Sequence, residues 1–205
     1  SEHIVSALPP VRAVAAENLA VLSHDPSRQV MTEAASGPDL GQIERFVDVV
    51  FGYCDGLIAV RRFTEKGQTP GRRPQNIWLP ADHDAAAQIH AHACSAMAAG
   101  LAVFVIPGTV ARAGQASADD VQQMQTILVD LDHGDIEAKR GHLAAHLGEP
   151  TLEVASGGIT LEGQRKRHLY WRLSEPARGD DIAALCGVRH LLAAKVGFII
   201  NTGGY

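Results

Sequence analysis

Ile127-Leu128-Val129-Asp130-Leu131-Asp132 is the stretch on which the reading of this chain turns. Its apolar run predicts a strand over Thr126 to Asp132. Side chains alternate along a strand, so Asp130 and Asp132 project to one face while Leu131 points to the other. Neighbouring carboxylates each raise the cost of ionising the other unless a cation offsets the repulsion. Mg²⁺ or Mn²⁺ suits such an oxygen-rich pair, taking one or two carboxylates and completing its shell with water and phosphate. An isolated Asp-x-Asp is common as a solvated strand end. This one closes a strongly apolar strand, which places it at the rim of a sheet.

Downstream, a helix is predicted over 135–147 and a strand over 151–155, followed by a turn at Ser156-Gly157-Gly158 and a return strand over 167–173. The return strand sets His168, Tyr170 and Arg172 on one face and Trp171 on the other, in the core. Glycines let a phosphate or a base approach the backbone closely. His168 can donate to a triphosphate oxygen, and Lys166 or Arg172 can add charge at the same anion. A lone strand histidine is usually packed or solvated, and the acidic pair is what raises His168 above that reading. His142 and His146, four apart on a predicted helix, have no obvious third ligand and read as a solvated face.

Upstream, Asp39 is a plausible N-cap for a helix over Leu40 to Cys54, with Ile43, Phe46, Val47, Val50 and Phe51 at helical spacing. A strand from Gly56 to Val60 delivers Arg61 and Arg62, and a polar loop runs to Pro74. Asn76 to Leu79 reads as a strand and Asp82 as the cap of an Ala-rich helix that Gly100 ends. Leu101 to Ile106 reads as a strand closed by Pro107-Gly108, and Ser117 to Asp120 as a capping box opening a helix of about two turns. A last helix is expected from about Asp180 to Lys195, then a strand-like tail. The alternation predicts an α+β fold, a sheet covered by helices, with residues 1–38 a peripheral helical segment.

Composition narrows the class. A chain of 205 residues with 46% apolar residues can bury one substantial core or two small lobes around a cleft. Cys54, Cys94 and Cys186 form no CxxC pair, which argues against a zinc ribbon and favours a reducing cytoplasm. No segment reads as a membrane span. The net charge of −5 does not announce a nucleic-acid binder, so any basic surface is local. It falls in two clusters: Arg61, Arg62, Lys66, Arg72 and Arg73, and Arg165, Lys166, Arg167 and Arg172.

The ordered set Ile127 to Asp132, Ser156-Gly157-Gly158 and His168-Leu169-Tyr170-Trp171-Arg172-Leu173 resembles the archaeo-eukaryotic primase superfamily, and within it the RepB-like primases of plasmids and mobile elements. The resemblance implies a primase-polymerase core, an RNA-recognition-motif-like mixed or antiparallel sheet joined to an α/β lobe, over 39–205. It implies Asp130 and Asp132 as metal ligands and catalytic acids, and His168 as the nucleotide-binding histidine. Ser156, Gly157, Gly158, Lys166 and Arg172 would line the nucleotide, and Arg61, Arg62, Arg72 and Arg73 the template. Mg²⁺ or Mn²⁺, nucleoside triphosphates, a single-stranded DNA template and a replicative helicase are the cofactors and partners it suggests. Two departures stand out. Lys166 replaces a small residue two positions before the histidine, and no acidic residue follows Asp181. The family's third acid is therefore expected to be truncated away or supplied by Glu153 or Asp135. A primase-like remnant that binds single strands without catalysis is the rival reading, and a hydrolase built on the same two acids a weaker third.

Overall fold

The computed structural model describes residues 37–64 and 74–200. Residues 1–36 of the expected peripheral segment, the loop carrying Lys66, Arg72 and Arg73, and 201–205 lie outside the described residues. The elements are α1 (Leu40–Phe51), β1 (Leu57–Phe63), β2 (Gln75–Pro80), α2 (Ala85–Ala98), β3 (Ala102–Val110), β4 (Val121–Leu131), α3 (Ile136–Leu147), β5 (Leu152–Ile159), β6 (Arg165–Arg178) and α4 (Asp180–Ile200).

The six strands form one antiparallel sheet in the order β2-β1-β3-β4-β6-β5. Helices are segregated by face. Val49, Val50 and Phe51 of α1 and Ala85 and Ile89 of α2 pack with Ile58, Val60 and Leu79 on one side. Ile136 and Leu143 of α3 and Leu185 of α4 pack with Ile127, Val129, Leu131, Leu169 and Trp171 on the other. Burying these side chains contributes roughly 1.5–3 kcal/mol each before chain entropy is counted. The result is a sheet with a core on each face, α1 and α2 above one half and α3 and α4 below the other.

The two halves of the sheet meet along a short seam. β3 pairs with β4 only at Thr109–Gln123 and Val110–Val121, with a register shift between them. β4 and β6, by contrast, pair from Gln123–Arg178 to Leu131–Arg167. At the seam α1 is fastened to the far half. The fully buried Gln125 accepts from the Tyr53 N–H (2.6 Å) and donates to the carbonyls of Val49 (2.7 Å) and Asp48 (3.1 Å). These bonds satisfy the end of α1, where backbone carbonyls lack helical partners.

Several boundaries depart from the sequence expectation. Asp39 does cap α1, its carboxylate accepting from the Gln42 N–H at 2.8 Å. The cap of α2 is Asp84, while the Asp82 carboxylate accepts from the Asp84 N–H in the preceding turn. Pro107-Gly108 does not close β3, which runs on to Val110. The capping box at Ser117 and Asp120 forms, but around a three-residue 3-10 turn over Ala118–Asp120, because β4 begins at once at Val121. Ser156-Gly157-Gly158 is a bulge inside β5 and not the hairpin turn. Residues 196–200 continue α4 and are not strand. Among the described residues no helix is long and apolar enough to cross a membrane.

Candidate active site

Asp130 and His168 are directly paired residues on β4 and β6. They share the sheet face of Leu128 and Tyr170, which pack with the α1 and α2 core, as strand alternation requires. The His168 Nε2 lies 3.4 Å from the Asp130 carboxylate. Asp132 follows one residue past the end of β4, its side chain 52% exposed, and accepts a hydrogen bond from the adjacent His133. That imidazole holds the Asp132 carboxyl below the usual carboxylate range, against the opposing effect of partial burial and with further help from the nearby Lys166. The acidic pair expected from alternation is thus open to solvent at the end of a buried strand. Beneath it, burial pushes the Tyr170 phenol up to about 12, and the Asp130 charge adds to the shift.

The loop bearing Asp132 is tied down from two sides. The Lys139 side chain, 3% exposed on α3, donates to the His133 carbonyl at 2.8 Å. Gln164, in the turn between β5 and β6, accepts from the Ile136 N–H at 2.6 Å and donates to Asp135 at 3.2 Å. His133, Lys139 and Gln164 were not singled out by sequence reasoning. Only His133, next to Asp132, carried a visible signal.

Ser156, Gly157 and Gly158 sit beside this group. Ala155 pairs with Arg167 and Ile159 with Arg165, so the three residues between them face Lys166 alone. Gly157 has φ +81°, and a Cβ on Gly158 would fall 2.7 Å from Cδ of Lys166, so the lysine stem lies flat across the bulge. Ser156 and Gly157 are exposed.

Other expected residues are engaged elsewhere. Arg172 pairs with Asp48 on α1 (3.0 Å) and stacks 4.0 Å above the Tyr53 ring. Arg61 and Arg62 point to opposite faces of β1. Arg61 reaches Asn76 at 3.0 Å, and Arg62 reaches Ser95 on α2 at 3.4 Å. Of the two proposed third acids, Glu153 is held in ion pairs by Arg140 and Arg167 on the face opposite His168, and Asp135 caps α3, accepting from the Ala138 N–H. The His146 ring donates to the His142 carbonyl, which occupies one of its nitrogens. Asp82, His83 and Asp84 place ligand atoms within 4.8 Å of one another, but all three are exposed and lie at the opposite end of the sheet from Asp130.

No family model matches the sequence, and no curated protein matches it. A solved structure does match in shape: the AEP domain of the primase-polymerase (PrimPol) of cyanophage S-2L, with a TM-score of 0.55 and 19% identity over 78% of this chain and 74% of that one. At that identity the likeness carries fold and not residue roles. The chain therefore has the α+β fold of a primase-polymerase AEP domain.

Proposed function

We propose that this protein is a template-directed nucleotidyltransferase, a DNA primase-polymerase acting in plasmid, phage or mobile-element replication. The observation that carries the reading is Asp130 facing His168 across paired strands, with Asp132 one residue beyond, beside a glycine bulge and on an AEP-type sheet. The donor set fits Mg²⁺ or Mn²⁺: two carboxylates with hard oxygen atoms, each about half exposed. Asp130 and Asp132 would hold such ions, which would supply a lowered pKa at an attacking 3′-hydroxyl and charge neutralisation at departing pyrophosphate. His168 orients the triphosphate, and the backbone of Ser156, Gly157 and Gly158 with Lys166 receives its oxygens. Arg172, fixed between Asp48 and Tyr53, supports the β6 end of that surface. Arg62, which shares the sheet face of Asp130 and His168, follows the template backbone with Arg72 and Arg73, while Arg61 turns to the other face; a replicative helicase in the cytoplasm is the partner this reading implies.

The test is primer synthesis on single-stranded templates, with ribonucleotides and deoxyribonucleotides supplied separately, by the wild type and by the double variant Asp130→Ala, Asp132→Ala. Loss of synthesis in the variant is expected; full residual activity would sink the assignment. One observation favours a second reading, a non-catalytic single-strand binder: among the described residues no third carboxylate joins the pair, Glu153 and Asp135 being committed elsewhere. On that reading the wild type binds oligonucleotides in EDTA and extends nothing in Mg²⁺ or Mn²⁺.

A further inference from the structure

The three strands of the other half have two very different faces. Ile58, Val60, Ile77, Leu79, Val103 and Val105 turn toward α1 and α2. Alternation sends Trp78 and Asn76 of β2, Arg61 and Phe63 of β1, and Phe104 of β3 to the opposite face. Register sets them side by side. Arg61 stands between Asn76 and Phe104 in one row, with Phe63 opposite Ala102 in the next and Trp78 opposite Ala59 in the row on the other side. The Arg61 guanidinium donates to Asn76 at 3.0 Å and to the Ala116 carbonyl at 3.5 Å, and the Trp78 Nε1 donates to the Gln115 carbonyl at 2.6 Å. The loop making that contact is braced by Asp120, which accepts from the Ala116 and Ser117 N–H groups. Phe104 is 46% exposed.

The strands of this face, β1, β2 and β3, carry no aspartate or glutamate, in a protein whose net charge is −5, the nearest acids being Asp119 and Asp120 in the turn before β4. An acid-free strand surface with fixed aromatic planes beside an arginine matches single-stranded nucleic acid, whose bases stack on rings and whose phosphates seek cations. A duplex hides its base faces, and an acidic protein segment has none to stack. We propose that this face is a stacking platform for single-stranded nucleic acid, with Phe104 taking a base and Arg61 a phosphate. It deepens the nucleic-acid part of the proposed function, yet it lies on the sheet face opposite Asp130 and His168 and does not depend on their chemistry.

Fluorescence anisotropy in EDTA, with labelled oligo-dT and oligo-U of equal length, tests it in the full chain. Phe104→Ala is expected to weaken binding about tenfold or more, Phe104→Trp to restore it, and Arg61→Gln to weaken it and flatten its salt dependence. Oligonucleotide should quench tryptophan emission, and Trp78→Phe should abolish the quench, because the other tryptophan, Trp171, is buried in the opposite half. Wild-type affinity in both Phe104→Ala and Arg61→Gln overturns the proposal, as does equal competition by duplex or a quench that survives Trp78→Phe. Equal or unequal binding of the two oligonucleotides, if lost in Phe104→Ala, supports it and identifies the sugar preferred. A chain that binds through Phe104 but never extends a primer leaves this inference standing and removes the catalytic one.

Discussion

The Asp130 carboxylate and the His168 imidazole meet at 3.4 Å from directly opposed positions on β4 and β6, although 38 positions separate them in the sequence. Their spacing is fixed by the ladder between two central strands and not by a loop. If His168 serves the triphosphate and Asp130 the ions, the two roles separate kinetically. His168→Ala is expected to raise the nucleotide KM about tenfold or more, the loss of a charge-assisted hydrogen bond. Mn²⁺ binding, followed by electron paramagnetic resonance, should change little in that variant. A matching loss of Mn²⁺ affinity would assign His168 to the metal instead.

Gly157 adopts φ +81°, in a region that L side chains rarely occupy, and has no neighbour that a Cβ would strike. Gly157→Ala should therefore cost backbone strain alone, about 1–2 kcal/mol. Thermal denaturation reads this directly. A larger fall in nucleotide incorporation than in stability would place the bulge in contact with substrate.

Gln125 is wholly buried and satisfies groups at the end of α1. Gln125→Leu keeps its bulk but strands the Tyr53 N–H and the Val49 carbonyl. We expect about 2 kcal/mol of lost stability in urea titrations, chiefly from the unsatisfied buried Val49 carbonyl, since Tyr53 is half exposed. A change below about 0.5 kcal/mol, the range of an unremarkable surface substitution, would show that water replaces the amide.

Arg140, ahead of Arg167, holds the Glu153 carboxyl below its ordinary value of 4.5, against the opposing effect of burial. A depressed folded pKa adds stability that is fully present above the unfolded pKa and lost as pH falls through the folded one. Glu153→Gln should thus be less stable than the wild type at pH 7, with the gap closing below about pH 4.5. Denaturant midpoints followed from pH 7 down through the acid range check the sign, and a gap that does not narrow at all as pH falls below 4.5 would point to packing instead of charge.

Much of this was legible because strand alternation is a local rule. It put Asp130 on the face away from Leu131 and His168 on the face away from Trp171, and β4 and β6 pair these two residues directly, while Asp132 lies one residue past the end of β4. The first half of β4 was not legible. Gln122, Gln123 and Gln125 break its apolar pattern, and the capping box before it argues for a helix, whereas Gln125 is drawn into the sheet by α1, more than seventy residues away. Glycines made Ser156-Gly157-Gly158 read as a turn, since a bulge and a turn ask for the same residues. The pairing of Arg172 with Asp48, 124 residues apart, is set by tertiary packing and leaves no mark in the local sequence.

The short seam between β3 and β4 has a mechanical meaning. Gln125, Arg172 and Arg178 all grip the stretch from Asp48 to Asp55, next to the Thr109–Gln123 and Val110–Val121 pairs. The molecule is built like a clothes-peg, riveted at one end and unlaced at the other. One jaw carries Asp130 and His168, and the other carries the C-terminal end of β1 and the N-terminal end of β2. The α1 core joins the two jaws as well: it holds Ile58 and Val60 of one with Leu128, Val154 and Tyr170 of the other, and Phe46 stands edge-on against Tyr170, so the gape cannot widen without opening that core.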